Sequence, residues 1–399
     1  MKDSFPPSAP DDPSQGEPAA EELEMTPQQL AEARAYGRIE LTCDLVGRAI
    51  DLAFLGVLTF LLGGPAGWLI GCLPNGGWPE TARLALLMLI ITSLNVGVSF
   101  PLAFYSGFIV EHQFGLSRQS LGRWLGRYVK RHLLEIVFSV LLICGLYGVI
   151  WLSGPWWWLA ASGAFFVVSI VLGQLAPVVI FPLFNKIEPL QPGERTDELN
   201  TRLARLAAGT GLSIEGVFRI DMSADTVKAN AMLAGLGKTR RVILGDNLLK
   251  QFSPDEIEVI FAHEIGHHVH RHIRKMILMG ALYSLAGFWI CDGLLSAWIG
   301  FQGEPVDYAH FPIFTLPMLL LIVTTFAMLT EPLQNVVSRY FERQCDQYAL
   351  QRTELRDAYV TAFRKLAKLN KDDPDPNPVE VFLFHSHPPI AQRLAMAEG

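Results

Sequence analysis

The chain has 399 residues, of which 50% are hydrophobic and only 18% charged, with a mean hydropathy of +0.29. A soluble protein of this length carries more charge, so the composition excludes an ordinary water-soluble enzyme and indicates a membrane protein. The formal net charge of −7 is concentrated in residues 1–25, which hold seven acids and one Lys; the remainder is nearly neutral and lacks a strongly basic patch, so nucleic acid is not expected as a partner.

Residues 1–25 are acidic and Pro-rich with almost nothing to bury, and are expected to be disordered. The first apolar run comes too late for a signal peptide. Thr26-Pro27-Gln28-Gln29 is a capping signature, from which a helix runs into that apolar run. Four apolar stretches, 45–73, 84–108, 133–153 and 157–184, make 26–184 an N-terminal membrane region. The second would be about 36 Å long as a helix, enough to cross a ~30 Å hydrocarbon core. Gly63-Gly64-Pro65 interrupts the first. Two further stretches, 276–299 and 312–332, fall in 275–333, for a count of six spans.

The 109–132 connection carries Arg118, Arg123, Arg127, Lys130 and Arg131, whereas 301–311 has no Lys or Arg. The positive-inside rule places the first loop in the cytoplasm, and with six spans both termini and the polar insert at 185–274 follow it there. Asp44, Arg48 and Asp51, at spacings of four and three, read as an ion-pair ladder at the membrane interface. Asp292 lies nearer the outer end of its span, where it either lines an internal cavity or reaches water. The five cysteines are scattered and odd in number, giving neither a disulfide framework nor a metal knuckle.

The insert reads as mixed α and β, with a helical pattern at 196–210 and strands at Gly216–Asp221 and Arg240–Leu244. Gly237-Lys238-Thr239 resembles the end of a phosphate-binding loop, but Met232 stands where its first Gly belongs, so nucleotide is not expected. Ser253-Pro254-Asp255-Glu256 then opens a helix with a capping box and Pro in the first turn. His263 and His267, four residues apart, project from one face of it and suit two ligands of one zinc. Glu264 beside them suits the base that takes a proton from water. His268, His270 and His272, among Arg271, Arg274 and Lys275, read as a wet, basic helix end.

Two His ligands leave a third to be found. After the last span, Glu342 and Asp346 share a helix face; one carboxylate suits the metal and the other the free N–H of a ligand His. A membrane-embedded zinc endopeptidase is the leading reading, against a heat-shock-type membrane quality-control protease or a catalytically silent membrane scaffold. The intact Glu264 opposes the last.

Several motifs together resemble the type I CAAX prenyl endopeptidases, polytopic membrane zinc metalloproteases. They are Pro101–Tyr105 with Glu111–Gln119, Pro182–Lys186 with Glu188-Pro189-Leu190, Asn230-Ala231, His263–His267, Asn335–Asp346, and His387-Pro388 with Arg393. The resemblance covers about 95–399. It implies a mainly α, polytopic fold carrying a cytoplasmic α+β zincin-like domain built from 185–274 and 334–399. It implies His263, His267 and Glu342 as ligands of one Zn2+, Glu264 as general base and Asp346 behind the ligands. His387 would stabilise the oxyanion. Arg393 would support the C-terminal segment or contact substrate, and Asn230 would bind a peptide laid down as an edge strand. The substrate implied is a peptide or protein; a C-terminally prenylated one and an unmodified one are both consistent with these residues. The family usually has seven spans around a large chamber, one more than counted here.

Overall fold

The computed structural model describes residues 24–64, 67–74, 76–212, 214–235 and 240–398. The disorder expected for 1–25 falls, except for its last two residues, outside these described residues, as does Gly237-Lys238-Thr239.

Helix α1 (Pro27–Phe60) begins as predicted. Thr26 Oγ1 accepts from the Gln29 N–H at 3.2 Å, and the Gln29 side chain accepts from the Thr26 N–H at 3.0 Å. A short α2 (Trp68–Gly71) follows the Gly-rich break. Helix α3 (Glu80–Phe104) passes through a π-turn, Tyr105–Val110, into α4 (Glu111–Gln113). Helix α5 (Leu121–Ser153) reverses at Gly154, whose φ of 57° and ψ of −137° favour glycine, and returns as α6 (Trp157–Leu175) and α7 (Phe181–Phe184).

The polar insert comprises β1 (Ile187–Pro189), α8 (Glu194–Ala207), β2 (Ile214–Ile220), β3 (Ala231–Ala234), β4 (Arg240–Gly245), α9 (Asp246–Gln251) and α10 (Pro254–Val269). Then come α11 (His272–Phe301), α12 (Leu316–Thr353), α13 (Arg356–Asn370), α14 (Pro378–Phe384) and α15 (Ile390–Glu398). The sheet order is β1-β2-β4-β3, with β2 and β4 parallel and both outer pairs antiparallel. Strands β1 and β3 escape sequence reading because three or four residues are too few to show an alternating pattern. Strand β3 matters because it is an edge.

Among the described residues, four helical segments are long and apolar enough to cross a membrane: Glu80–Gln113, Leu121–Leu175, His272–Phe301 and Ile313–Thr353. The second contains both the 133–153 and 157–184 stretches up to Leu175, folded back at Gly154. The 45–73 stretch is the end of α1 and the break after it. Leu152, Leu278, Trp289 and Leu329 are exposed on these segments, which suits a lipid solvent rather than water.

Two cores result. One, inside the helical bundle, packs Leu84, Leu87, Tyr147, Trp157, Leu295 and Leu316. The other surrounds α10 with Leu199, Leu203, Phe252, Phe261, Tyr359 and Phe363. Helix α12, about 57 Å long at 1.5 Å per residue, contributes Leu319 to the first and Ala349 to the second. One continuous helix thus carries its distal half from the bundle to α10.

Charges inside and beside the bundle find partners. Asp292 accepts from Trp157 Nε1 at 2.7 Å and from the Tyr308 hydroxyl at 3.0 Å, so it ties helices together within the fold. Arg48 pairs with Asp44 at 2.7 Å as the ladder predicts, but it also grips Glu331 of α12 at 2.9 Å; Asp51 accepts instead from Asn95. Arg123 and Arg127 both bind buried Asp225, while the Arg118 N–H donates to the Asp225 carbonyl at 2.9 Å. The basic segment, whose Arg123 and Arg127 lie in the first turns of α5, therefore clamps the insert at Asp225.

Candidate metal centre

Helix α10 is fixed before any chemistry is considered. The capping box forms: Ser253 Oγ accepts from the Glu256 N–H at 3.2 Å, and Glu256 Oε2 accepts from the Ser253 N–H at 2.8 Å. Ile257, Phe261 and Ile265 are buried, and buried Glu258 accepts from Arg202 and Arg205 of α8 at 2.7 Å each. The remaining face presents His263 and His267.

Helix α12 meets that face through Gly266. A Cβ there would lie 2.9 Å from the Cys345 Cα, so only glycine permits this approach. The approach sets Glu342 between the imidazoles, with Oε2 at 3.1 Å from His263 Nε2 and Oε1 at 3.3 Å from His267 Nε2. Asp346, fully buried, accepts from His263 Nδ1 at 2.9 Å.

That last bond decides what Glu342 meets. With Nδ1–H directed at Asp346, a neutral His263 turns a bare Nε2 lone pair toward the Glu342 carboxylate. Glu342 Oε2 is a buried oxygen with no hydrogen-bond partner. Lone pairs of two imidazoles and a carboxylate converge with nothing between them to bond, an arrangement that repels unless a cation joins it. Burial opposes a charged His263, yet Asp346 and Glu342 outweigh burial and push its pKa up to about 9. The pocket holds a surplus of negative charge that a proton or a metal neutralises, and its N/O donor set fits a divalent metal. Cys345 Sγ also lies within 4.8 Å of donor atoms of both histidines, but it packs against Gly266 as a small buried side chain.

Glu264 faces a cleft of about 980 Å³ beside these ligands. Burial pushes its carboxyl up, ahead of the two imidazoles that pull it down. One wall of the cleft is α1 through Gly37, Glu40 and Asp44; another is Asn230 and the start of β3. Asn230 is exposed to the cleft, and its carbonyl accepts from the Gly245 N–H at 2.9 Å, which holds it at the head of the edge strand.

The loop after α14 closes the far side. His387 brings Nε2 to 3.7 Å from Glu342 Oε2 and leaves its side chain 63% exposed to the cleft. Partial desolvation, with Arg393 and the other imidazoles, outweighs Glu342 and lowers its pKa below the ordinary histidine value. Asn335 and Arg339, to which sequence reading assigns no task, donate to the carbonyls of Leu383 and Val381 at 2.8 and 2.7 Å, and Arg339 also to that of His385. They satisfy the last turn of α14 and so aim His387. Arg393 is buried, 2.5 Å from Asp346 Oδ1 and stacked over the Phe363 ring at 3.9 Å. Its charge stands behind Asp346.

The reading of His272 as part of a wet helix end needs correction. It is fully buried, because Arg271 adopts a left-handed φ of 56° that turns the chain and folds His272 back under α10. The ring stacks on Phe341 at 4.1 Å and 12°, with Nδ1 at 3.1 Å from His267 Nδ1 and Nε2 at 3.0 Å from Gln344 Oε1. No helical spacing links it to Phe341 or Gln344, so sequence alone carries no signal for it.

A family model described as peptidase family M48 matches residues 193–399, and one described as CAAX prenyl protease N-terminal, five membrane helices, matches 13–186. An uncharacterized metalloprotease of Bacillus subtilis, YhfN, is 30% identical over 94% of this chain and 86% of its own. CAAX prenyl protease 1 of Saccharomyces cerevisiae is 28% identical over 76% of this chain and 70% of its own. The crystal structure of S. mikatae Ste24p shares the fold with a TM-score of 0.80 at 23% identity, covering 97% of this chain and 93% of that one.

Proposed function

From the premise that the chain belongs to peptidase family M48, with a CAAX prenyl protease membrane region, and is an integral-membrane metalloendopeptidase, we propose that His263, His267 and Glu342 hold one zinc ion. The observation that carries the ligand set is the convergence of both Nε2 atoms on the buried Glu342 carboxylate, His263 on Oε2, which has no hydrogen-bond partner, and His267 on Oε1. Two His and one Glu with a fourth position open is a zinc donor set for hydrolysis. Asp346 fixes the His263 tautomer, and Arg393 holds Asp346.

When bound, zinc supplies Lewis acidity that acidifies a water and polarises the scissile carbonyl. Glu264 takes the proton of the attacking water and later delivers it to the leaving amine; its upward-shifted carboxyl suits both transfers. His387, across the cleft, donates to the carbonyl oxygen as negative charge develops there. The outer edge of β3 and the Asn230 side chain at its head receive the substrate backbone as an added strand.

The substrate is a peptide or protein, and similarity to CAAX prenyl protease 1 makes a C-terminally prenylated one the first to try. The basic 109–132 segment supports a cytoplasmic active site and termini, the six apolar stretches support six spans, and the packing of α12 and α13 on α10 supports a protease domain assembled from 185–274 and 334–399. Mass-spectrometric cleavage mapping on a mixed pool, some peptides farnesylated at a C-terminal Cys, tests the reading. Chelator-sensitive cuts confined to prenylated peptides are expected. Chelator-sensitive cuts across the pool would remove the prenyl requirement, and zinc binding without any cut would remove the mechanism.

A further inference from the structure

Three groups lie outside the catalytic set: the cavity behind His267 lined by Arg240, Arg271, Arg274 and Arg352, the carboxylates Glu40, Asp44 and Asp372 along the main cleft, and the buried His272–Gln344 pair. The last is carried furthest by geometry, and we infer that His272, oriented by Gln344, is a positioning residue that presents His267 to the metal. The inference rests on the reading of His267 as a ligand.

The hydrogen bonds run in one direction. Gln344 turns its Nε2 toward the Tyr340 hydroxyl at 3.2 Å, which leaves Oε1 facing His272. An amide oxygen only accepts, so His272 Nε2 carries the proton that spans the 3.0 Å to it. A neutral imidazole has one N–H, and His272 Nδ1 is therefore an acceptor. Two groups face it, the weakly donating Cys345 thiol at 3.6 Å and, nearer, His267 Nδ1 at 3.1 Å, which donates. With its proton there, His267 has a lone pair at Nε2, the atom 3.3 Å from Glu342 Oε1. The chain Gln344–His272–His267 thus selects the tautomer that can bind a cation, as Asp346 does for His263.

The two ligands are held differently. His263 donates to an anion that itself pairs with Arg393, whereas His267 donates to a neutral ring. A carboxylate in place of His272 would add a third buried negative charge beside Glu342 and Asp346, and an imidazole orients the ligand without it. The ring is rigid as well. Phe341 covers one face at 4.1 Å, and the left-handed Arg271 fixes its backbone.

The test separates orientation from packing. His272→Phe keeps the stack on Phe341 and removes the acceptor; Gln344→Leu keeps the imidazole and frees its tautomer. Zinc affinity of the detergent-purified full chain is read by competition with a chromophoric chelator, and Co2+ loading reports ligand geometry through its visible spectrum. Removal of such an outer partner typically weakens metal binding by about 10–100-fold, the effect expected for His272→Phe, with a smaller loss and an altered Co2+ spectrum for Gln344→Leu. His268→Phe, on the same helix end, should leave both unchanged. Wild-type affinity and spectrum in His272→Phe would overturn the inference. If that variant does not fold, unchanged affinity and spectrum in Gln344→Leu overturn it instead. His267→Phe distinguishes the deeper failure: metal affinity unchanged there would sink the ligand assignment itself.

Discussion

Gly266 of α10 and Cys345 of α12 touch backbone to backbone, a Cβ on Gly266 falling 2.9 Å from the Cys345 Cα and 3.1 Å from its Sγ. This contact sets the distance between the helix that carries both histidines and the helix that carries Glu342. Gly266→Ala must push the helices apart, since backbone cannot yield as a flexible side-chain tip can. Overpacking of this kind costs about 1–3 kcal/mol, and metal ligands tolerate errors of only about 0.2 Å. A lowered Tm and at least tenfold weaker zinc binding are expected; a variant with wild-type zinc affinity would show that Glu342 is not set by this contact.

Glu264→Gln should retain metal and lose turnover. The amide fills the same space in the cleft but cannot take a proton from water, and general-base catalysis is worth roughly 10²–10⁴-fold. Zinc content by elemental analysis together with peptide cleavage reads both halves. Normal cleavage would assign the base elsewhere.

Arg393→Met removes the cation that neutralises fully buried Asp346, its partner at 2.5 Å, and leaves the carboxylate with the His263 N–H alone. Breaking such a pair costs about 3–5 kcal/mol. Adding Asp346→Asn should recover part of the lost thermal stability while leaving zinc affinity low, because His263 then donates to a neutral oxygen. Equal stabilities for the single and double variants would argue against the pair as the origin of the loss.

Loss of stability in acid has a distinct source in Asp246. Burial would raise its carboxyl, but Lys250, the Ser223 hydroxyl and the backbone N–H groups of Met222 and Ser223 outweigh that and hold it well below the usual carboxylate range. A depressed folded pKa contributes stability above the unfolded value near 4 and loses it as pH falls through that value toward the folded one. Asp246→Asn should therefore cost roughly 1.5–3 kcal/mol at pH 7, the worth of hydrogen bonds to a charged group. The gap between the two proteins should close below about pH 4. A gap that stays constant in acid would rule out the ionised carboxylate as its cause.

What the sequence determines by itself is everything governed by a local period. Hydropathy runs long enough for a bilayer mark the helical bundle, and Ser253 with Glu256 starts α10. Spacings of four put His263 with His267 and Glu342 with Asp346, because a helix turn brings such residues to one face. The tertiary structure decides which faces meet. Asp346 reaches His263 from 83 residues away, through a glycine whose role no spacing announces. His272 reads as one more polar residue in a basic run until a left-handed backbone at Arg271 folds it beneath His267, against Phe341 and Gln344. Pattern reports which side of a helix a residue occupies; the partner on that side is set by packing between segments far apart in the chain.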